Sequence, residues 1–215
     1  MFTTTQVGSW PRSKIMLKAL RDHQKGRIDR ERFDAIADDE IRRCVSLQED
    51  AGLDIVTDGE LRRDSFYSFV TDKLDGTKMH SLADLLETVE DKASFEEMLH
   101  TLDVPASAIH NPTCVGKLSR REPLAVNEVR FLKRITERPI KVTLPGPYLL
   151  TRSMWVSALS GKGYSDKTEM GEDVVRILRE ELEDLRDEGA AFVQFDEPVL
   201  TEVVLSEECD RRTFM

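Results

Sequence analysis

Ala191-Phe192-Val193-Gln194-Phe195-Asp196-Glu197-Pro198 joins an apolar run to two carboxylates and a proline. A short run rich in aromatic and β-branched residues is typical of a buried strand. Because Pro198 cannot donate a hydrogen bond to a neighbouring strand, we expect the strand to end there. The stretch therefore predicts a buried strand with Asp196 and Glu197 at its carboxyl end.

An amphipathic helix is predicted immediately before this strand, from about residue 169 to residue 188. Its apolar residues recur at the spacing of one helical face. They are Val174, Leu178, Leu182 and Leu185. Gly189 follows at the position where a glycine commonly ends a helix. The whole unit is a helix, a glycine, a strand and an acidic tip.

The same unit occurs earlier in the chain. A helical stripe over residues 31–51, in which Gln48 is the polar exception, precedes Gly52. Glu60 follows Gly52 by eight residues, as Glu197 follows Gly189. Two copies predict repeated βα construction, in which ligands bind at the carboxyl ends of parallel strands.

The aspartates at the two strand ends have a second interpretation. Asp is an ordinary helix N-cap and turn residue. Asp58 and Asp196 could therefore equally cap a helix or begin a loop, without any role in binding.

Length and charge restrict the class of protein. The chain has 215 residues, 40% of them hydrophobic, and a formal net charge of −10. This composition predicts a soluble globular protein with a sizeable core and disfavours nucleic acid or a membrane surface as a partner. No apolar run approaches the roughly 20 residues of a membrane span, and the N-terminus has no signal-peptide pattern. The three cysteines are far apart and odd in number, which predicts reduced thiols and a cytoplasmic location.

Five βα units account for most of the chain. Strands are predicted at 3–7, 53–57, 113–117, 140–144 and 191–195, and further helices at 13–21, 122–137 and 148–159. Residues 61–111 are too long for an ordinary βα loop and predict a helical insertion, with helices near 82–91 and 95–102. A complete eight-unit barrel needs about 250 residues. The chain is thus either part of a barrel or an open doubly wound sheet.

Four motifs, in this order, resemble the catalytic barrel of cobalamin-independent methionine synthases. Thr3 to Pro11 resembles the Thr-rich opening strand and its Gly-Ser-Phe-Pro-like turn, and Val56 to Glu60 the motif of the second strand. Leu144 to Pro147 is similar to the Thr-Gly-Pro turn, and Gln194 to Leu200 to the Asp-Glu-Pro-Ala-Leu motif. The resemblance implies a TIM (β/α)8 barrel of the methionine synthase/uroporphyrinogen decarboxylase-like type. Residues 1–215 would form a single, partial barrel domain with about the first five units.

The resemblance also implies a reaction. The family transfers a methyl group from a polyglutamylated methyltetrahydrofolate to the thiol of homocysteine and forms methionine. In this chain it implies that Val7, Gly8 and Ser9 hold the carboxylate or backbone of the amino acid, and that Glu60 and Asp196 accept hydrogen bonds from its ammonium group.

The methyl donor has implied contacts of its own. Glu202 matches a folate-contacting acid of the family, and Trp155 a pterin-stacking tryptophan, although the spacing of Trp155 from Gly146 differs. Trp155 could instead simply pack as a large apolar side chain. No catalytic residue is assigned within the chain.

Zinc is the cofactor that the resemblance implies, because a bound cation keeps a thiol as thiolate at neutral pH. The family's ligands are a His-x-Cys pair, a Glu and a second Cys, all after the Asp-Glu-Pro motif. No such set precedes Met215, so we expect these 215 residues to lack the zinc site and to be inactive alone. Two alternatives remain: another zinc-dependent thiol alkyltransferase of the superfamily, such as a coenzyme M type, and a non-catalytic binding protein with an incomplete barrel.

Overall fold

The computed structural model describes residues 2–86 and 110–200. The chain forms two compact units. The first unit contains Met1–Phe69, Pro123–Leu144 and Glu180–Phe195, and the second contains Val70–Glu122, Pro145–Arg179 and Asp196–Met215. Predictions for helix 95–102 and for Glu202 fall outside the described residues.

The helices of the first unit begin where the sequence supplies a cap. Helix α1 spans Lys14–Gln24, and Ser13 Oγ accepts from the N–H of Met16 at 3.1 Å. Helix α2 spans Arg30–Asp50, and Asp29 Oδ1 accepts from the N–H of Arg32 at 2.8 Å. The two helices share a buried cluster: Met16, Ala19, Phe33 and Ala37.

Both predicted helix-ending glycines are confirmed. Gly52 follows α2 with φ +78°, and Gly189 has φ +92° after the long helix Lys167–Glu188. A residue with a Cβ rarely adopts this left-handed conformation, which explains why glycine ends both helices.

Fewer regular strands form in the first unit than the sequence predicted. Only Lys141–Pro145 and Phe192–Asp196 are regular strands of this set, and they pair with each other. Residues 53–57 contribute a single parallel bridge, from Val56 to Ile140, and residues 3–7 contribute hydrogen bonds from Asp54 and Ile55 to the carbonyl of Thr4. The strands predicted at 3–7 and 53–57 are therefore not formed as regular strands, although both segments hydrogen-bond where the prediction placed them.

The burial predicted for the strand Phe192–Asp196 is wrong. Phe192 is 49% exposed and Phe195 is 38% exposed, whereas every residue of Lys141–Pro145 is buried. The physical reason is pairing: among the described residues, Phe192–Asp196 has a partner strand on one side only.

The second unit contains an antiparallel pair that the sequence did not predict. After a 3-10 helix at Ser68–Lys73, strand β1 (Leu74–Ser81) pairs with strand β2 (His110–Arg120), and the short helix α3 (Leu82–Leu86) follows β1. The predicted strand 113–117 therefore exists, but its place in the parallel series is wrong. The insertion at 61–111 is not purely helical, since it contains β1.

The remaining elements complete the two units. Helix α4 spans Val126–Leu132, which is shorter than the predicted 122–137. Strand β3 is Lys141–Pro145, followed by α5 (Pro147–Met154) and α6 (Ser157–Ser160). The predicted helix 148–159 is thus broken, because Trp155 is extended with ψ 117°. Helix α7 is Lys167–Glu188 and strand β4 is Phe192–Asp196.

Within the described ranges, no helix combines the length and the apolar character that crossing a membrane requires.

Candidate functional site

Glu60 lies at the centre of a buried polar network in the first unit. Its exposed fraction is 2%, and among residues 2–86 and 110–200 it is the one non-glycine residue with a positive φ, +55°. Its N–H donates to Asp58 Oδ1 at 2.9 Å. Non-glycine residues adopt this backbone region at a cost, and residues held in such conformations cluster at active sites and ligand-binding sites.

Two hydroxyl groups orient the Glu60 carboxylate. Ser9 Oγ donates to Oε2 at 2.7 Å, and Thr143 Oγ1 donates to Oε1 at 2.6 Å. Each oxygen of an ionised carboxylate has two lone pairs, so one acceptor position on each remains. The carboxylate is therefore fixed in orientation and can still accept hydrogen bonds from a cationic group.

Gly8 allows the N-terminal segment to approach this carboxylate. A Cβ atom at residue 8 would collide with Glu60 Oε1 and would lie 3.3 Å from Thr143 Cγ2. A side chain at this position would displace the carboxylate or the segment, so glycine is required here.

A buried ion pair supports the same group. Arg63 is 3% exposed and donates to both carboxylate oxygens of Glu128, from Nε at 3.0 Å and from Nη2 at 2.6 Å. Its Nη1 donates to the carbonyl of Thr143 at 2.8 Å, and the guanidinium lies 4.2 Å from the ring centroid of Phe69. Burial opposes the charge of Arg63, but Glu128 outweighs it and raises the pKa of the guanidinium. We call Ser9, Asp58, Glu60, Arg63, Glu128 and Thr143 the Glu60 network.

Asp58 is the titratable member of this network near neutral pH. Burial, followed by the nearby charge of Glu128, raises the pKa of Asp58 to about 7. Its Oδ2 is buried and has no hydrogen-bond partner among the described residues. Burial, and then Asp58, also raise the pKa of Cys44 to about 12, so the Cys44 thiol stays protonated.

Gln48, the polar exception in the α2 stripe, has a structural task. Its Nε2 donates to the carbonyl of Thr57 at 2.8 Å, and its Oε1 accepts from the N–H of Thr57 at 3.0 Å. The side-chain amide thus replaces the neighbouring strand that residue 57 would otherwise need.

Lys141 fixes the backbone before Ser9. This lysine is 1% exposed, and its Nζ donates to the carbonyls of Gln6 and Val7, the latter at 2.9 Å. It also donates to Gln194 Oε1 at 2.8 Å. The ammonium group therefore fastens the segment that carries Gly8 and Ser9.

The structure brings four of the predicted site residues into one unit. Gly8 and Ser9 contact Glu60 directly, and Val7 binds Lys141 through its carbonyl while its side chain is 78% exposed. Asp196 and Trp155 belong to the second unit. The indole Nε1 of Trp155 donates to Ser157 Oγ at 3.3 Å, and the carbonyl of Asp196 accepts from the N–H of Gly146 at 2.8 Å.

Glu197 in the second unit caps a helix. Its carboxylate accepts from the N–H of Tyr148 at 2.7 Å and of Leu149 at 2.8 Å, at the start of α5. Gly146 is required beside it, because a Cβ there would collide with the Glu197 side chain. Of the two aspartates with a turn interpretation, Asp58 does make a local turn contact, since its Oδ1 accepts from the N–H of Glu60.

A zinc ion does not fit the residues that the structure describes. Within residues 2–86 and 110–200, no three His, Cys, Asp or Glu side chains are grouped to hold a metal ion. Cys44 and Cys114 are buried free thiols.

Sequence reasoning missed Lys141, Thr143, Arg63 and Glu128. The strand Ile140-Lys141-Val142-Thr143-Leu144 did contain a signal, since polar and apolar residues alternate in it. Arg63 and Glu128 offered none, because they are 65 positions apart and their pairing depends on the tertiary fold.

The chain matches curated relatives over nearly its whole length but covers only part of theirs. Methionine synthase of Sulfolobus acidocaldarius is 28% identical over 198 residues, which is 92% of this chain and 52% of that protein. The 5-methyltetrahydropteroyltriglutamate–homocysteine methyltransferase of Thermotoga sp. (strain RQ2) is 27% identical over 205 residues, 94% of this chain and 25% of that protein. The chain therefore spans about half the length of the shorter relative.

Two solved structures are similar to this chain in fold. A B12-independent methionine synthase from Shewanella sp. W3-18-1, in complex with selenomethionine, matches with a TM-score of 0.60 and 26% identity, over 82% of this chain and 47% of that one. A putative vitamin-B12 independent methionine synthase from Listeria monocytogenes shares the fold, with a TM-score of 0.66 and 21% identity, over 94% of this chain and 53% of that one. Both likenesses agree with a TIM-barrel-like α/β fold.

The family with the description "Cobalamin-independent synthase, Catalytic domain" matches residues 1–215. The chain belongs to this family of cobalamin-independent synthases.

Proposed function

We propose that the protein to which these residues belong transfers a methyl group from methyltetrahydrofolate polyglutamate to homocysteine and forms methionine. The observation that carries the proposal is the buried Glu60 carboxylate, which Ser9 and Thr143 orient. Family membership and the names of the relatives support the same reaction.

In this proposal the chain binds and orients the amino acid. Glu60 accepts hydrogen bonds from the substrate ammonium, and the Val7–Ser9 backbone receives its carboxylate. Asp196 is the second acceptor for the ammonium, Glu202 contacts the folate, and Trp155 stacks on the pterin. Holding both ends of the amino acid positions its thiol, which is how binding contributes to rate in a two-substrate reaction.

The proposal extends to the complete fold and to the cellular location of the protein. We infer an eight-unit barrel of the methionine synthase/uroporphyrinogen decarboxylase-like type, of which these residues form the first part, and a cytoplasmic location. Zinc is implied by the family alone, and the residues of this chain that the structure describes offer it no ligand set. When bound, zinc supplies the stabilisation of the thiolate.

The first test is the reaction itself. The full-length protein, given methyltetrahydrofolate triglutamate and homocysteine, should form methionine. If the protein methylates coenzyme M or another thiol instead of homocysteine, it belongs to a different class of thiol alkyltransferase. A protein that turns over no thiol would contradict an enzymatic function.

The second test addresses Glu60. Glu60→Gln keeps the shape of the side chain and removes its charge, so the KM for homocysteine should rise about tenfold to a hundredfold, as a lost charge-assisted hydrogen bond predicts. Desamino-homocysteine should be affected far less, because it has no ammonium group.

Glu181→Gln is the matched control. Glu181 is a fully buried glutamate of the same unit whose two oxygens accept from the N–H groups of Leu124 and Ala125, each at 2.7 Å. Its substitution should lower stability without changing the preference for the amino group. Equal loss with both thiols in Glu60→Gln would contradict ammonium binding by Glu60.

A further inference from the structure

Strand β3 carries two polar side chains on one face. Lys141 and Thr143 are two positions apart, so they point to the same side of the strand, while Val142 and Leu144 point to the other. All four side chains are buried, with exposed fractions of 1–3%. A buried ammonium and a buried hydroxyl are costly unless they are hydrogen-bonded, so their partners indicate what they do.

Lys141 turns two successive carbonyls toward itself. Its Nζ donates to the carbonyl oxygens of Gln6 and Val7. In a planar trans peptide the C=O and the following N–H point in opposite directions, and the described residues contain no cis peptide bond. The N–H groups of Val7 and Gly8 therefore point away from Lys141.

Both N–H groups thus point to the same side of the segment, where they can donate to an anion. Successive backbone N–H groups on one side of a turn make a binding site for a carboxylate or phosphate. Neither group donates to an acceptor within residues 2–86 and 110–200. The positive charge of Lys141, behind the same peptide groups, further favours an anion on their far side.

Thr143 orients Glu60 as Lys141 orients the Gln6–Gly8 backbone. Its hydroxyl donates to Glu60 Oε1 at 2.6 Å, while its own carbonyl is held by Arg63 Nη1 at 2.8 Å. Since Arg63 is itself fixed by two hydrogen bonds to Glu128, the threonine backbone has a rigid support. The direction of the Thr143 hydroxyl, and with it the plane of the Glu60 carboxylate, is set by this support.

We propose that β3 aligns both ends of the amino-acid substrate. Lys141 is the positioning residue for the substrate carboxylate, through the Gln6–Gly8 backbone, and Thr143 is the positioning residue for the substrate ammonium, through Glu60. The proposal rests on the proposed function, because it takes an amino acid as the ligand.

The experiment compares three ligands on three forms of the full-length protein. The ligands are methionine, decarboxylated methionine and desamino-methionine, and the proteins are wild type, Lys141→Met and Thr143→Val. Dissociation constants are measured by calorimetry, with displacement of methionine for the weak ligands.

We expect opposite patterns from the two variants. Lys141→Met should weaken the binding of methionine and of desamino-methionine about tenfold, since the carboxylate site is misaligned. The dissociation constant of decarboxylated methionine should stay within about twofold of the wild-type value. Thr143→Val should weaken the binding of methionine and of decarboxylated methionine about tenfold and leave the binding of desamino-methionine unchanged. Thr143→Ser keeps the hydroxyl and should restore wild-type affinity.

Val142→Ala is the packing control, since it creates a cavity on the opposite face of β3. It should lower stability and shift all three ligands by the same factor. The same uniform shift in Lys141→Met or Thr143→Val would reduce these residues to a structural role and overturn the proposal. If Lys141→Met does not fold, Lys141→Gln is measured in its place. Wild-type protein that does not bind methionine would overturn the proposed function instead, which separates the two failures.

Discussion

Glu60 and Glu197 begin from the same local pattern and end with different tasks. Each lies eight residues after a glycine with positive φ that closes a long helix. The Glu60 carboxylate accepts from two side-chain hydroxyls, Ser9 and Thr143, in the first unit. The Glu197 carboxylate accepts from two backbone N–H groups, at the start of α5 in the second unit.

The difference shows what decides the task of a carboxylate at a strand end. Backbone N–H groups at a helix start are donors that must be satisfied, and a carboxylate that satisfies both is engaged in holding the helix. Hydroxyl hydrogens, in contrast, can rotate toward another acceptor, so Ser9 and Thr143 orient the Glu60 carboxylate but do not require it as backbone N–H groups at a helix start do. Glu197 therefore stabilises the start of α5, whereas Glu60 is the carboxylate to which we assign ligand binding.

The largest effect should come from the support behind Glu60. Arg63→Met leaves the buried Glu128 without its partner, which should lower the free energy of unfolding by about 3–5 kcal/mol. Urea unfolding measures this loss. The Arg63→Met/Glu128→Leu double variant should recover much of it, because apolar residues can replace a buried ion pair at little cost. A single variant as stable as wild type would mean that the pair does not support the Glu60 network.

The second effect is a pH dependence of the free energy of unfolding, which comes from Asp58 in the Glu60 network. The pKa of Asp58 is raised from 3.8 to about 7, first by burial and then by Glu128, while Arg63 and Arg62 oppose the shift. The folded state therefore binds a proton more tightly than the unfolded state. This stabilisation of the folded state is complete below about pH 4 and is lost as pH rises through about 7, at up to about 1.4 kcal/mol per pH unit.

Asp58→Asn cannot titrate, so its unfolding free energy should lack this decline when measured from pH 4 to pH 8. Asp54→Asn is the control with the opposite sign. Hydrogen bonds from the backbone and side chain of Thr4 lower the pKa of Asp54, so its contribution is lost as pH falls. A decline that persists in Asp58→Asn would assign it to another group.

The smallest effect belongs to the Glu197 side. Glu197→Ala removes the acceptor for two N–H groups of α5, and the loss of a helix cap should cost about 0.5–2 kcal/mol. Amide hydrogen exchange of Tyr148 and Leu149 should accelerate. Glu172→Ala, an exposed glutamate of α7, is the control and should change neither quantity. Unchanged exchange in Glu197→Ala would contradict the capping role.

Local pattern was sufficient for the long helices and for their ends. The apolar stripe of α2, the cap at Asp29 and the glycine at 52 are all local signals, and the structure follows them. The contact of Ser9 with Glu60 was also within reach, because two motifs of one resemblance brought both residues into the same site.

Pairing between distant segments was not within reach. The strand at 113–117 was predicted, but its partner β1 was not, since a strand pattern does not say which edge the strand joins. The same holds for the exposed Phe192 and Phe195, whose burial depends on neighbours and not on their own hydrophobicity.

The sequence by itself determined the two long helices, their closing glycines, the family and the residue types at the strand ends. Only the tertiary structure decided which carboxylate is held by hydroxyls and which caps a helix, and it alone revealed Lys141, Thr143 and the Arg63–Glu128 pair. The physical reason is range. Helix propensity and capping act within a few residues, whereas the task of a buried polar group depends on donors and acceptors that the fold brings from more than fifty positions away.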